Sequence, residues 1–430
     1  MTKLKFFFSN NHSKFIHVDQ FKFLIKWFFL SAIIGILAGT GSAFFLYSLE
    51  LVTNFRESNI WIISLLPVGG FGVGLLYHYF GQSVVKGNNQ LIEESHSPEK
   101  RIPFRMAPLV LLGTIITHLF GGSAGREGTA VQMGGAIADQ FSRFFKIDSE
   151  DRRILLIVGI SSGFASIFGT PLAGAIFGLE VLIIGRIKYE AILPSFISAA
   201  IAEYTTHLWH LTEHTNYSIP FVPELGIENL IWVIVSGIIF GVVSLLFSES
   251  SHFFGNQFLK IKYPPLRPAI GGVIIAIIVF ISGTTEYIGL GVPTIVESFN
   301  NTLEPYSFLI KLLLTTFTLG AGFKGGEVTP LFFVGATLGN ALIWIIPLPL
   351  PLLAGIGFVG VFAGATNTPI ACTVMGIELF GVESGVYIAI STVTAYMFSG
   401  HSGIYGAQLI GSSKHKRFEN EEGKILGHKK

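Results

Sequence analysis

Apolar runs long enough to cross a bilayer constrain this chain more than any other feature of its sequence. About 20 apolar residues span the hydrocarbon core as a helix, but several runs are shorter or are broken by glycine, proline or charge. Irregular backbone is tolerated at membrane depth only where protein or a water-filled cavity satisfies its polar groups. We therefore predict an all-α polytopic membrane protein with broken helices. The runs are Phe28–Leu51, Ile60–Tyr79, Met106–Gly121, Ile154–Phe168, Ala173–Gly185, Ala191–Leu208, Leu230–Phe247, Ala269–Ile281, Phe308–Gly322, Pro330–Leu353, Ile356–Gly381 and Val386–Phe398.

The composition agrees with lipid as the main solvent. Half of the 430 residues are hydrophobic and 13% are charged, whereas a soluble domain carries about 25% charged residues. The net charge of +1 gives no electrostatic reason to bind nucleic acid. The single cysteine, Cys372, excludes an internal disulfide and a cysteine-based metal cluster. No metal-binding, nucleotide-binding or hydrolase motif occurs, so we expect no metal, no cofactor and no enzymatic activity.

One stretch concentrates charge inside this apolar setting. Residues Gly121 to Gly135 read GGSAGREGTAVQMGG, with Arg126 and Glu127 between glycines. An ionisable group at membrane depth costs about 2.5 to 3.5 kcal/mol on insertion scales, which makes it a functional candidate. The apolar residues after Glu127 predict a helix that starts there, and a helix N-terminus binds anions through its unpaired N–H groups and its dipole. The alternative is an Arg–Glu pair that only fixes the end of a helix.

The chain also repeats itself. Residues 121–136 and 321–336 share six of sixteen identities, and residues 164–180 and 362–378 share seven of seventeen. Repeats with broken helices are typical of transporters whose substrate lies between the two halves. We expect a cytoplasmic N-terminal lead at 1–27, a first transmembrane repeat at 28–213, a linker at 214–228, a second repeat at 229–412 and a cytoplasmic tail at 413–430.

Two pairs of glutamates take equivalent positions in the repeats. If the repeats are inverted, Glu127 and Glu327 approach one another near the centre. A buried carboxylate can fill an anion site while ionised and leave it once protonated, because burial and nearby charges decide which form is favoured. Such a group is a physical route for exchanging anions for protons. Glu180 and Glu378 end apolar stretches, and we interpret them as carboxylates at a cytoplasmic or interhelical end.

Neutral donors flank the glycine-rich turns. Thr129, Thr329, Asn88 and Asn89 suit a small, strongly hydrated anion, whose lost water has to be replaced by hydrogen-bond donors. Helix capping and turn formation explain the same residues equally well. Tyr405 follows the last apolar run and is typical of an interfacial aromatic, although its phenol can also donate to an anion.

Basic residues cluster in particular segments, and cytoplasmic segments of membrane proteins carry an excess of them. This bias places both termini in the cytoplasm and the protein in the cell (inner) membrane. The clusters are Lys3, Lys5 and Lys14, then Arg152 and Arg153, Arg186 and Lys188, Lys260, Lys262 and Arg267, and the tail from Lys414 to Lys430.

Four ordered motifs make residues 28–412 resemble the CLC family of chloride channels and anion/proton exchangers. They are Gly125–Gly128 followed by Val131–Gly135, then Thr170–Gly174, then Gly325–Pro330, and last Tyr405. The resemblance implies an inverted repeat and a homodimer with one pathway in each subunit. It also implies that Glu127 is the gating and proton-accepting glutamate, and that Tyr405 is the central tyrosine of the anion path.

The departures from the chloride-type motifs resemble the fluoride/proton antiporter branch of that family. Val85–Asn89 stands in place of a Gly-Ser-Gly-Ile-Pro motif, Thr129 replaces a proline, and Val181 stands where an internal proton-relay glutamate is expected. The branch uses the glutamate of the Glu-Val-Thr-Pro motif, which is Glu327, as the second proton-pathway residue. The implied anion-binding residues are Asn88, Gly87, Gly125, Arg126, Gly128, Gly326, Val328, Thr329 and Tyr405.

The sequence therefore predicts a membrane antiporter that exports fluoride in exchange for protons. A chloride/proton exchanger and a passive anion channel of the same fold remain alternatives. An intramembrane enzyme with Glu127 and Glu327 as paired carboxylates is a third alternative, although no nucleophile or metal motif supports it. The ligands of the predicted antiporter would be fluoride, possibly chloride, and protons.

Overall fold

The computed structural model describes residues 4–211 and 214–428, and the side chains of 18–211 and 214–427. The first half contains eight α-helices: α1 (Leu4–Ser58), α2 (Leu66–Phe80), α3 (Asn88–His96), α4 (Met106–Leu119), α5 (Glu127–Phe144), α6 (Ser149–Phe168), α7 (Pro171–Glu180) and α8 (Ile192–Leu208). In the second half, the described residues form these helices: α9 (Ile227–Leu259), α10 (Leu266–Ser282), α11 (Val292–Glu297), α12 (Ser307–Gly320), α13 (Val328–Ala341), α14 (Leu350–Thr366), α15 (Pro369–Phe380) and α16 (Gly385–Phe398). Two short strands, β1 (Ile183–Ile184) and β2 (Leu409–Ile410), pair in parallel.

The helices pack in the same pattern in both halves. α5 packs on α4 and α6 as α13 packs on α12 and α14, and α1 packs on α8 as α9 packs on α16. Equivalent helices also touch across the halves, α2 with α10, α5 with α13 and α7 with α15. Elements that contact their own equivalents are related by a two-fold axis. The predicted CLC-type inverted repeat with broken helices is therefore confirmed.

Glycine allows the two helix pairs next to the centre to cross at backbone distance. A Cβ on Gly134 of α5 would come within 2.2 Å of the Gly159 carbonyl of α6. A Cβ on Gly335 of α13 would come within 2.1 Å of the Gly357 carbonyl of α14. Small residues at such crossings are typical of membrane helices. Lipid tails are as apolar as the helices, so no hydrophobic effect drives the helices together, and their association depends on close packing.

In the part of the chain that the structure describes, three helical segments are long and apolar enough to cross a membrane by length and composition: Val18–Ser58, Ile60–Phe80 and Ile227–Leu259. Eight shorter apolar helices of 10–17 residues accompany them. The prediction of broken helices therefore describes most of the interior.

Some predicted boundaries were wrong. The single run Pro330–Leu353 is two helices, because Pro347 and Pro349 lack N–H donors and restrict the residues before them. The helix α9 continues for three turns beyond its predicted end at Phe247. At the N-terminus, α1 is continuous across residues 27 and 28, and the end of the cytoplasmic lead at residue 27 stays a prediction.

Parts of three predicted segments lie outside the described residues. Lys3 in the basic N-terminal cluster lies there, as do the end of the first repeat at 212–213 and the last tail residues 429–430. The linker has no regular secondary structure over 214–226, and the ring of Tyr217 packs on the rings of Phe299 and Phe358. The linker therefore lies against the second half.

The tail packs against the segment that carries Tyr405. Its N–H of Gly427 donates to the Gly406 carbonyl at 2.7 Å, and its N–H of Leu426 donates to the Gln408 carbonyl at 2.9 Å. Leu426 is buried against Ile184 and Ile410. Residues 423–427 thus form a clasp over the Tyr405 segment, and we call them the tail clasp.

Candidate functional site

The glycine-rich turns of the two halves meet backbone to backbone. The N–H of Gly125 donates to the Gly326 carbonyl at 2.6 Å, and the N–H of Gly326 donates to the Gly125 carbonyl at 2.8 Å. A Cβ on Gly326 would come within 2.7 Å of the Gly128 nitrogen, so a side chain does not fit at position 326. The junction brings the N-terminus of α5 beside the N-terminus of α13.

The carboxylate of Glu127 occupies a cluster of donors at this junction. It accepts from the Thr329 N–H at 2.9 Å and from the Thr329 hydroxyl at 2.5 Å. The Arg126 N–H donates to it at 3.2 Å, and the Arg126 side chain forms an ion pair with it at 3.6 Å. The side chain of Glu127 is 0% exposed. We call these Thr329 and Arg126 groups the donor cluster.

Helix physics explains why a carboxylate is stable at this position. The first N–H groups of α13 have no partners within that helix, and its dipole makes the N-terminus positive. Val328 and Thr329 begin that helix, and both are buried. A buried carboxylate that accepts charge-assisted hydrogen bonds stands in chemically for any small anion of similar size. The cluster therefore has the chemistry of an anion site filled by the chain's own side chain.

The two halves are not symmetric at this point. By the repeat, Thr129 should hold Glu327 as Thr329 holds Glu127. Instead, the hydroxyl of Thr129 pairs with that of Thr114 at 2.7 Å, so Thr129 does not join the donor cluster. Glu327 faces a different space, which it lines together with Tyr405.

That space is a cavity of about 150 Å³ that collects residues from distant parts of the chain. We call it the Tyr405 cavity. Five residues singled out in the sequence line it, namely Gly87, Asn88, Asn89, Glu327 and Tyr405. Lys324, Lys86, Gln132 and Tyr77 also line it.

Local backbone shape fixes the Asn88 side of this cavity. Gly87 has φ +57°, a left-handed conformation that favours glycine, and a Cβ there would come within 3.1 Å of the Gln132 amide. Asn88 begins α3, and its Nδ2 would be 3.0 Å from a Cβ on Gly128. The next residue, Asn89, accepts from the Ala407 N–H at 3.0 Å, which ties α3 to the Tyr405 segment.

A second cavity, of about 580 Å³, reaches Arg126. We call it the Arg126 cavity. Glu50, Asn54, His207 and His210 are among its lining residues. Glu127 contacts Arg126 of this cavity, and its donor Thr329 follows two residues after Glu327 of the Tyr405 cavity. The carboxylate thus contacts one lining residue of the Arg126 cavity, and its donor is close along the chain to a lining residue of the Tyr405 cavity.

Within the described part of the chain, no group of three or more His, Cys, Asp and Glu side chains could hold a metal ion. The site therefore consists of backbone N–H groups, hydroxyls, carboxylates and cations.

Two features were missed in the sequence. Lys324 lies in the turn before α13, and a lone lysine between glycines in an apolar stretch was the available signal.

The second missed feature is a pair of glutamates that each cap a helix of the other half. Glu180 accepts from the N–H groups of Ile370 and Ala371 at 3.1 and 2.8 Å. Glu378 accepts from those of Leu172 and Ala173 at 3.0 and 2.7 Å. Each glutamate thus caps the equivalent helix of the other half, which gives the predicted interhelical position a definite form.

Comparison of the sequence with known proteins gives matches along most of the chain. The profile of the family described as voltage gated chloride channel matches residues 69–400. A chloride/fluoride channel protein of Pseudomonas syringae pv. tomato is 51% identical over 413 residues, which are 94% of this chain and 91% of that protein. The voltage-gated ClC-type chloride channel ClcB of Salmonella typhimurium is 26% identical over 382 residues, which are 82% of this chain and 90% of that protein.

Solved structures agree. A CLC-type fluoride/proton antiporter matches with a TM-score of 0.87 and 36% identity, covering 90% of this chain and 98% of that chain. A slow cyanobacterial Cl⁻/H⁺ antiporter matches with a TM-score of 0.74 and 21% identity, covering 87% of this chain and 94% of that chain. At that identity, the second match shows the fold alone.

Proposed function

The chain belongs to the voltage-gated chloride channel (CLC) family, and on this premise we propose that it is a fluoride/proton antiporter. Family membership confirms the resemblance found in the motifs and places the chain among channels and transporters, not enzymes. The fluoride assignment is supported by the relative named as a chloride/fluoride channel and by the structural match to a fluoride/proton antiporter.

One observation carries the proposal: the carboxyl group of Glu127 accepts hydrogen bonds from the Thr329 and Arg126 groups of the donor cluster. When Glu127 takes up a proton from the Arg126 cavity, it loses the charge that the Thr329 and Arg126 donors favour. The neutral side chain leaves, and fluoride takes the same N–H and hydroxyl donors. Because only one anion fits the cluster at a time, proton uptake and fluoride binding are linked at a single position.

Glu327 is the second proton-pathway residue in this mechanism. It lines the Tyr405 cavity and lies beside the donor cluster, so it can pass a proton between Glu127 and that cavity. Asn88, Tyr405 and the backbone at Gly125, Gly128 and Gly326 complete the anion path. The small polar cavity suits fluoride, since a strongly hydrated ion needs many donors in little room.

The remaining expectations belong to the same proposal. Both termini lie in the cytoplasm of a cell whose inner membrane holds the protein, so the Tyr405 cavity faces the cytoplasm. The protein works as a homodimer in membrane lipid, and the proposed bounds of its two repeats are 28–213 and 229–412. Fluoride leaves the cell while protons enter.

The test is ion flux from liposomes that hold the purified protein, followed with fluoride- and chloride-selective electrodes and a pH electrode. Fluoride release with opposed proton movement and little chloride release is the expected result. Chloride movement as fast as that of fluoride would leave a chloride/proton exchanger. Fluoride flux without proton movement would make the protein a passive channel.

A further inference from the structure

The Tyr405 cavity contains a cation that the proposed mechanism does not use. Lys324 lines the cavity from the turn before α13. Its Nζ lies 4.2 Å from the centroid of the Tyr77 ring, over the face of that ring. The negative face of an aromatic ring holds an ammonium group in place without neutralising its charge. The ammonium is thus fixed at the wall of a cavity that also holds Asn88 and Tyr405.

The aliphatic part of the Lys324 side chain is also packed against the protein. A Cβ on Gly113 of α4 would come within 2.9 Å of the Cβ and Cγ of Lys324, so glycine at that position leaves room for the stem. The side chain therefore lies between α4 and Tyr77 of α2. This is a packed position, unlike that of a lysine that extends freely into water.

Lys324 has no carboxylate in ion-pair contact. Among the ion pairs of the described residues, all with N–O distances of 4.0 Å or less, none includes Lys324. Glu327 is the acid whose charge acts on it from a greater distance. The other lysine on this wall, Lys86, is neutralised by Glu93 at 2.7 and 2.9 Å. Lys324 is therefore the cation that the cavity offers to an incoming anion.

We propose that Lys324 binds the transported anion in the Tyr405 cavity before that anion reaches the donor cluster. This inference rests on the proposed function and adds a cytoplasmic anion-binding residue to it. The charged and titratable groups around the cavity are Lys324, Glu327, the Lys86–Glu93 pair, Tyr77 and Tyr405. While Glu327 is ionised, its charge and that of the Lys324 ammonium add up to zero. Once Glu327 is protonated, the pair carries a net charge of plus one. Fluoride is thus drawn in after a proton has arrived.

The experiment compares Lys324→Met with wild type in liposomes, with the fluoride concentration varied at constant pH. We expect the fluoride KM to rise about tenfold and the maximal rate to change less than twofold, because the lost charge acts on entry. Lys324→Arg keeps the charge and should stay within about threefold of wild type. The double variant Lys86→Met/Glu93→Gln is the matched control and should change KM less than twofold, since it removes an ion pair that carries no net charge. Lys324→Gln replaces the Met variant if gel filtration shows that the latter does not fold.

The outcomes separate this inference from the proposed function. If wild type exchanges fluoride for protons but Lys324→Met keeps the wild-type KM, the role of Lys324 is overturned and the function stands. If wild type moves no fluoride, the proposed function fails, and calorimetric binding of sodium fluoride and sodium chloride decides the role of Lys324. Weaker anion binding by the variant than by wild type would support it. Equal binding, or no binding by either protein, would overturn it.

Discussion

The carboxylate of Glu127 accepts two hydrogen bonds from Thr329, one from its N–H at 2.9 Å and one from its hydroxyl at 2.5 Å. These residues lie 202 positions apart, one in each half of the chain. A carboxylate from the first repeat therefore takes hydrogen bonds from the start of a helix in the second repeat. Under the proposed function, proton binding and anion binding compete at the donor cluster.

The first prediction concerns Glu127→Gln. The amide cannot ionise, so it cannot carry a proton, and it offers the donor cluster a weaker acceptor. We expect fluoride to cross the membrane without opposed proton movement, as measured with paired fluoride and pH electrodes on liposomes. Fluoride pumped uphill by this variant at the wild-type proton ratio would contradict the role of Glu127.

The second prediction compares two threonines at equivalent positions. Thr329→Val removes a hydroxyl that donates to a buried carboxylate, a bond worth about 1.5 to 3 kcal/mol. Because fluoride uses the same donor, we expect its KM to rise about tenfold or more. Thr129→Val is the control, because its hydroxyl pairs with Thr114 and should leave the fluoride KM unchanged. Equal effects of the two changes would show that the donor cluster is not the anion site.

The third prediction concerns stability at a helix crossing. Gly335→Ala would place a methyl group within 2.1 Å of the Gly357 carbonyl, so α13 and α14 must separate. Overpacking of this kind costs about 1 to 3 kcal/mol, and we expect a lower midpoint in a thermal unfolding assay in detergent. Gly255→Ala in α9 meets no atom within 4 Å and should leave the midpoint equal or slightly higher. A midpoint for Gly335→Ala at the wild-type value would refute the close crossing.

The fourth prediction concerns the reciprocal caps. Glu180→Gln leaves one acceptor oxygen for two backbone N–H groups. One of these buried N–H groups then faces the NH₂ of the glutamine and has no acceptor. An unsatisfied buried donor costs about 1 to 3 kcal/mol. Glu378→Gln should cost less, because that side chain is only half buried. Chemical denaturation of both single variants and the double variant would test this ranking, and an equal or reversed order would count against it.

The fifth prediction concerns the tail clasp. Leu426→Asp puts a charge against Ile184 and Ile410, so the clasp should release the Tyr405 segment. We expect the fluoride turnover to fall about threefold or more, measured as initial efflux from liposomes. Lys424→Ala changes an exposed side chain in the same clasp and should leave turnover at the wild-type level. If both variants match wild type, the clasp does not position Tyr405.

The repeats and the charged turn were predictable because each leaves a mark in the local sequence, whereas Asn88 and Tyr405 of the cavity were predicted from the family resemblance. The glycines around Arg126 and Glu127, together with these two charges, stand out from the apolar sequence on both sides and predict a turn. The break near Pro347 was missed because the residues around it are as apolar as a helix, and hydropathy alone does not reveal it.

Other features depend on contacts that no local spacing encodes. Glu180 caps amides 190 residues away, and Glu378 caps amides 206 residues away. The resemblance implied different roles for Glu127 and Glu327, but the local sequence does not show that one lies in the donor cluster and the other at the Tyr405 cavity, since both repeats carry a glutamate and a threonine in the same register. The neighbours differ instead, with Ala124 in the first half where Lys324 stands in the second.

The reciprocal caps impose an order on biosynthesis. The N-terminus of α7 emerges from the ribosome 206 residues before Glu378, the carboxylate that satisfies it. At synthesis rates of about 5 to 20 residues per second, α7 waits roughly 10 to 40 s for its acceptor. During that interval its bare amides need water or the insertion machinery, because lipid offers no acceptor. Neither repeat can therefore complete its folding before translation of the other, and the chain matures as one unit.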